Sequence, residues 1–489
     1  MKIAVKTPLP AFQNDIGDVV RLFYGEGAAV EAGQAADAQL DHHHEEQGGQ
    51  WHECFVWTDA NGHTEQNTLS APMISGGLEE KRQLKRLIKR CCYTLFKRIT
   101  GRQPAWGSLT GIRPTRLYYQ QLENGKTRDE ARKTLAALFD LSREKIDLLD
   151  EILNAQQGLI DRRPEACDLY IGIPFCTTRC AYCSFSSGEI GDGHLVEPYL
   201  NALFHEIEAC AQMAGDMGLH IRVGYIGGGT PSSLTTSQLD RLLNQIEKCF
   251  GSFEEFTVEA GRPDTLDEQK LRMLHSHPVT RISINPQTMN DETLMRIGRA
   301  HTAKQTMEAY ELARSIGFDD INMDVIAALP GEDYAMFAHT LEAIQKLKPE
   351  SLTVHTLAIK RSSRLHEEKY AQREQDVARM VALGRQTAHE MGMRAYYLYR
   401  QKYMAENLEN VGYALPGHFC RYNIDNMEET TSVLALGAGG ISKCVMHKEE
   451  KILRAPNIAN IEQYIDRVDE MIQRKEAVFT EKARIQGTE

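Results

Sequence analysis

The sequence predicts an α/β chain: a partial (β/α)6 barrel, preceded by an α+β N-terminal region and followed by a C-terminal capping domain. Three observations lead there. From Asp168 onward, short β-branched runs alternate with helical stretches, and each return to a parallel strand needs a crossover helix. The glycine-rich and polar motifs of this stretch follow predicted strands, as they do where a site sits at the C-terminal ends of barrel strands. The alternation gives six repeats rather than eight, so the barrel is open.

The elements follow in order. Residues 1–165 form the first region, with strand-like pieces at 2–5 and at 52–58 around Cys54. Between them, Asp41-His42-His43-His44-Glu45-Glu46 reads as a solvated loop rather than a metal site, because neighbouring His side chains in a polar loop have no partners fixed by a fold. From Leu78 the spacing of Leu84, Leu87, Ile88, Cys91, Leu95 and Phe96 predicts an amphipathic helix. A loop, TGRQPAWGSLTGIRPTR, leads to helical segments at 115–124, 127–139 and 142–159. The barrel, 166–370, carries strand candidates at 168–173, 222–226, 255–259, 280–285, 320–327 and 351–357. Helix candidates at 194–217, 235–249, 266–276, 291–297, 303–316 and 334–347 alternate with them. Residues 371–489 read as a helix, an aromatic and glycine-rich segment and a helical tail that cover the barrel mouth.

The 489 residues exceed what one hydrophobic core usually serves. Apolar residues make up 42% and charged residues 25%, an ordinary globular balance. With 68 acidic against 56 basic residues the net charge is −12, which argues against a phosphate backbone as partner. No apolar run is long enough to span a bilayer, and the start, MKIAVKTPLPAFQND, has no apolar core of an export signal. A cytoplasmic, monomeric protein with a small-molecule substrate is expected.

Eleven cysteines, spread irregularly, do not form a disulfide framework. Three stand at ligand spacing: Cys176-Thr177-Thr178-Arg179-Cys180-Ala181-Tyr182-Cys183, directly after the first barrel strand. Three thiolates can hold three irons of a cubane and leave one open, as in a reactive rather than structural centre. Zinc with a distant fourth ligand is the competing reading, but zinc sites more often pair two C-x2-C motifs.

The C-x3-C-x-aromatic-C motif, with Tyr170, Gly227-Gly228-Gly229-Thr230-Pro231-Ser232, Arg281-Ile282-Ser283 and Leu329-Pro330-Gly331, resembles the oxygen-independent coproporphyrinogen III oxidase (dehydrogenase) family of radical S-adenosylmethionine (SAM) enzymes. GSLTGIRPTR, VEAGRPDT, RISINPQTMND, VHTLAIKRSSRL and ENVGYALPG are most similar to its HemZ branch. The resemblance runs from about residue 78 onward, with the motifs in the family's order.

That resemblance implies a [4Fe–4S] cluster on Cys176, Cys180 and Cys183, and SAM chelated to the open iron as the source of a 5′-deoxyadenosyl radical. The radical is carried by SAM, so no protein residue is named as catalytic. Gly229 and Thr230 belong to the loop that cradles the methionyl part, where glycine lets the backbone approach. Glu259 ends a strand as a carboxylate in need of a partner and matches a SAM contact, as do Tyr170, Gln287, Arg299 and Asp324. An Arg299–Asp324 ion pair is the structural alternative for the last two. Tyr182 is expected on the adenine and Ala358 beside the nucleoside.

The activity implied is oxidative decarboxylation of coproporphyrinogen III to protoporphyrinogen IX, an anaerobic step of haem biosynthesis, with an electron donor and acceptor that the sequence does not name. Lys360, Arg361 and Arg364 are candidates for gripping propionates, or a solvated basic turn. Asp425, Glu428 and Glu429 read as surface charge. Family oxidases carry a fourth cysteine two residues after the third, whereas Cys183 is followed by Ser184-Phe185. Relatives that act as haem chaperones share this difference, so a haem chaperone without oxidase activity is the alternative. His418 and Cys420 would be its candidate axial ligands.

Overall fold

The computed structural model describes all residues except 75, 112, 186, 361, 362, 368–375, 403 and 487–489. The chain forms two compact units, Met1–Asp150 with Arg400–Leu408, and Glu151–Tyr399 with Glu409–Glu489.

In the first unit β1 (Ile3–Lys6), α1 (Gln13–Tyr24), β2 (Ala29–Glu31) and the long strands β3 (Ala38–Gln47), β4 (Gln50–Asp59) and β5 (Thr64–Pro72) precede α2 (Gly77–Thr100), α3 (Pro114–Glu123) and α4 (Arg128–Phe139). The five strands lie in the order β2-β1-β3-β4-β5. Apolar faces of α1 (Ile16, Val19, Val20, Phe23) and α2 (Ile88, Cys91, Cys92, Leu95, Phe96) bury against Leu40, Phe55 and Trp57 of the sheet. Each Val, Leu, Ile or Phe among them contributes about 1.5–3 kcal/mol.

The polyhistidine stretch is not a loop. It lies within β3, where side chains alternate between faces. His42 is buried and stacks on Phe55 at 4.4 Å. Its ring nitrogens meet Thr7 Oγ1 and Glu53 Oε2, each at 2.7 Å. His44 Nδ1 meets the other Glu53 oxygen at 2.8 Å. A buried glutamate on the neighbouring strand satisfies both rings, a partner that lies outside the histidine run itself.

Helix α5 (Arg143–Ala155) runs across the boundary into the second unit. There β6 (Ala166–Ile173), β7 (Phe175–Cys176) and β8 (Gly188–Glu189) are followed by α6 (Val196–Asp216), β9 (His220–Gly228), α7 (Thr236–Phe250), β10 (Glu255–Val258), α8 (Glu268–Ser276), β11 (Arg281–Ser283), α9 (Asp291–Arg296), α10 (Ala303–Ile316), β12 (Ile321–Ala327), α11 (Tyr334–Leu347) and β13 (Ser351–Thr356). Strands β6, β9, β10, β11, β12 and β13 pair in parallel, in that order. The predicted six-fold alternation is therefore the architecture. Capping boxes start two of the crossover helices, Thr235 with Gln238 for α7 and Thr302 with Gln305 for α10.

The remaining elements are α12 (Arg364–Glu367), α13 (Val377–Glu390), β14 (Arg394–Tyr399), β15 (Asn410–Ala414), α14 (Arg421–Glu428), β16 (Ser432–Leu436), β17 (Ile441–Met446), β18 (Lys451–Pro456), α15 (Ile461–Asp466) and α16 (Val468–Gln486). The aromatic and glycine-rich segment is thus largely strand. β15 and β14 add antiparallel beyond β13, while β16 joins β6 in parallel and carries β17 and β18. Asp425 and Glu428 are buried, not surface charge. Asp425 takes Arg222 and the hydroxyls of Thr430 and Thr431, and Glu428 accepts from Gln156. Glu429 is half-buried and pairs with Arg454 at 2.9 Å. Among the described residues no helix is long and apolar enough to cross a membrane.

Candidate active site at the strand ends

Strand β6 is buried throughout except at Tyr170, which is half-buried. After Pro174 the chain forms β7, which pairs with β8 so that Cys176 stands opposite Glu189. The loop carrying Cys180 and Cys183 is then tied down from several later strand ends. Ala181 donates its N–H to the Ile297 carbonyl at 2.9 Å, and the Thr178 hydroxyl donates to Gly298 O at 2.9 Å. Arg262 Nη1 reaches Thr178 O and Oγ1 at 3.1 and 2.9 Å. The three thiols are half-buried and free of disulfides. Burial, and after it the neighbouring Cys180 and Cys176, pushes the Cys183 thiol up against a backbone hydrogen bond at Phe185.

The glycine loop closes directly on this motif. Gly228 has φ 111°, a conformation that favours glycine. A Cβ added at Gly229 would lie 2.6 Å from the Phe175 carbonyl oxygen and 3.0 Å from Cys176 Sγ. Thr230 donates its N–H to that same carbonyl at 2.7 Å and its hydroxyl to Cys176 Sγ at 3.5 Å. Glu259, just past β10, faces the loop: its Oε2 would be 3.0 Å from a Cβ on Gly227. Its Oε1 accepts a 2.5 Å hydrogen bond from the Tyr225 hydroxyl. Burial, with help from Asp324, pushes this carboxyl up to about 7, although Tyr225, the Gly228 backbone and His355 favour its charged form. The Tyr225 ring stacks on Tyr422 at 4.4 Å, and Tyr170 stacks at 6.0 and 6.3 Å from Tyr422 and Tyr225.

Across the strand ends, Arg299 donates to Gly261 O and Asn285 O, each at 3.0 Å, and to the Tyr182 hydroxyl at 3.2 Å. Arg299 and Asp324 do not pair. Asp324 instead accepts from Asn322 Nδ2 at 2.8 Å and lies 3.6 Å from His355 Nε2. Burial opposes its charge, yet His355, Asn322 and Thr353 hold its carboxyl below the ordinary value. Gln287 sits at φ 66°, donates its N–H to Asp324 O at 2.9 Å, and receives Ile326 N–H at 3.0 Å. Its side-chain Oε1 is buried without a hydrogen-bond partner among the described residues, an arrangement that costs about 1–3 kcal/mol unless a ligand supplies a donor.

Cys176, Gly229, Thr230 and Glu259 thus form one neighbourhood, Tyr182 with Arg299 a second, and Gln287 with Asp324 a third. Ala358 is half-buried, two residues beyond β13. Lys360 is half-buried near Cys183; burial lowers its ammonium pKa and Cys183 raises it. Arg364 is exposed on α12, and Arg361 lies outside the described residues. His418 Nδ1 is 3.2 Å from Asp320, and the buried Cys420 thiol donates to Glu255 at 3.2 Å. Sequence reasoning missed Tyr225, His355 and Tyr422, and did not assign Arg262, Asp264 or His301. Tyr225 had a signal: it stands opposite Tyr170 in the β6–β9 register and two residues before Gly227, on the same face.

The radical SAM superfamily model matches residues 170–344. The chain is 40% identical over 416 residues to the oxygen-independent coproporphyrinogen-III oxidase-like protein HemZ of Bacillus subtilis, covering 82% of this chain and 83% of that one. The heme chaperone HemW of Bacillus subtilis is 37% identical over 193 residues, 39% of this chain and 50% of its own. The solved structure of coproporphyrinogen III oxidase (HemN) from Escherichia coli shares the fold, with a TM-score of 0.51 at 23% identity, covering 64% of this chain and 72% of that one. The cofactors of this superfamily are a [4Fe–4S] cluster and SAM.

The donor set suits such a cluster: three free thiols on one anchored loop, beside a glycine that keeps the space over Cys176 open. Among the described residues no three His, Cys, Asp or Glu side chains gather on a single metal ion; a cubane takes one thiolate per iron instead. With a radical SAM match, a HemZ relative across four-fifths of its length and a HemN-like fold, the chain belongs to the HemZ branch of the oxygen-independent coproporphyrinogen III oxidase family of radical SAM enzymes.

Proposed function

We propose that the protein oxidatively decarboxylates two propionate side chains of coproporphyrinogen III to the vinyl groups of protoporphyrinogen IX. The observation that carries this reading is the meeting, at the ends of parallel strands, of the Cys176 loop, the Gly229 loop and the Tyr225-bonded Glu259 beneath a tyrosine wall. When bound, SAM at a reduced cluster supplies a 5′-deoxyadenosyl radical for hydrogen abstraction.

Cys176, Cys180 and Cys183 hold the cluster. Gly229 and Thr230 cradle the methionyl part of SAM, and Glu259 accepts from its amino group. Gln287, Arg299 and Asp324 complete the contacts, Tyr170 closes the pocket, Tyr182 packs on adenine, and Ala358 leaves room for the nucleoside. The rings of Tyr170, Tyr225 and Tyr422 keep water from the reacting carbon. Lys360 and Arg364 supply cations to propionates. For each vinyl group one hydrogen atom leaves the propionate β-carbon, the carboxylate leaves as CO2, and the remaining electron passes to an external acceptor.

The second reading, a heme chaperone, is favoured by the likeness to HemW and by Ser184-Phe185 after Cys183. Anaerobic reconstitution separates the two. The oxidase reading expects roughly four irons per chain, lost in Cys176→Ala, Cys180→Ala or Cys183→Ala but kept in Cys54→Ala. It also expects SAM-dependent formation of protoporphyrinogen IX from coproporphyrinogen III. Stoichiometric tight haem binding with no vinyl product would decide for the chaperone.

A further inference from the structure

On the reading that Cys176, Cys180 and Cys183 hold the cluster, we propose that Arg262 is a positioning residue that sets the cluster's electron affinity through Cys180. Arg262 is almost wholly buried. Its Nε and Nη2 grip the two Asp264 oxygens at 3.1 Å each. That two-point grip fixes the guanidinium plane and turns Nη1 toward the cysteine loop. Nη1 there meets Thr178 O, Thr178 Oγ1 and, at 3.9 Å, Cys180 Sγ.

Asp264 also accepts from the Thr177 hydroxyl at 3.2 Å, and His301 Nδ1 lies 3.5 Å from it. His301 has a fully buried side chain. Burial works against the Asp264 charge, but His301 and Arg262 outweigh it and keep the carboxylate ionised. The second guanidinium nearby, Arg299, spends its Nη1 and Nη2 on two carbonyls and a tyrosine hydroxyl. Of these two guanidiniums, it is Arg262 that donates to a cysteine sulfur.

One electron from an external low-potential reductant takes the cluster from [4Fe–4S]2+ to [4Fe–4S]+, with no bond or proton changing at Arg262. The added negative charge spreads onto the thiolate sulfurs. A positive N–H donor at Cys180 stabilises that reduced form, and hydrogen bonds and charge at the sulfurs are what tune such potentials. Burial lets the charge act with little screening. Asp264 opposes it, so the two residues act with opposite signs.

The test is a redox titration of the reconstituted full-length protein with dithionite and mediators, read by the electron paramagnetic resonance of the reduced cluster. Arg262→Gln should lower the reduced-to-oxidised ratio at the wild-type midpoint about tenfold, a negative shift of about 59 mV for one electron. Asp264→Asn should shift it the other way. Variants with wild-type iron content whose midpoints match the wild type, or move in the same direction, would overturn the proposal. Should Arg262→Gln fail to hold a cluster, Asp264→Asn alone decides: a rise supports the proposal and no change overturns it. A wild-type chain that takes up no cluster would instead remove the cysteine assignment, and this inference with it.

Discussion

The Tyr225 hydroxyl donates a 2.5 Å hydrogen bond to Glu259 Oε1, and burial holds that carboxyl near 7 rather than at its ordinary 4.5. If Glu259 binds the SAM amino group as a carboxylate, affinity for SAM rises as pH rises through about 7. Tyr225→Phe removes a donor that favours the charged form, so the midpoint of this rise moves to higher pH. The same raised value has a consequence for folding. Its stabilising contribution is complete below 4.5 and is lost as pH rises through about 7. Calorimetric SAM titrations across pH check the first claim, and a midpoint unchanged in Tyr225→Phe would count against it.

Gly229 is expected to matter for the cluster as well as for SAM. A Cβ there would sit 2.6 Å from a backbone oxygen and 3.0 Å from Cys176 Sγ, and backbone cannot give way as a flexible side-chain tip can. Gly229→Ala should therefore reduce the iron and sulfide retained after reconstitution. Full iron content, with only SAM binding impaired, would show that the loop adjusts around the methyl group.

The second unit depends on a buried ion pair. Lys475 of α16 meets Glu206 of α6 at 2.6 Å, both fully buried, and Glu206 also accepts from Tyr464, Asn457 and the Gly437 N–H. Lys475→Met would leave the carboxylate uncompensated, at a cost of about 3–5 kcal/mol. Denaturant unfolding measures it. A loss within about 0.5 kcal/mol, the range of surface changes, would show that water replaces the lysine.

Much of the barrel was legible before any coordinates. The β-branched runs at 222–226 and 351–357 became β9 and β13 because residue periodicity and crossover length are local properties of the chain. The C-x3-C-x2-C motif and the three glycines were legible for the same reason: spacing within a few residues constrains geometry by itself. The C-terminal strands were harder to see. Strands such as β15 (NVGYA) are short and glycine-containing, and their identity comes from the sheet edge they join.

What only the tertiary structure decided is which distant residues meet and which charges lie inside. Arg262 lies 82 positions from Cys180, Tyr422 is on a different element from Tyr225, and Glu53 reaches His42 and His44 from the neighbouring strand. Asp425, which reads as surface charge in the sequence, is buried against Arg222. The sequence by itself determined the alternation of strands and helices and the cysteine loop, since both follow from local spacing. Partner choice and burial do not, because a charge is stabilised inside a protein only by groups that the completed fold carries to it.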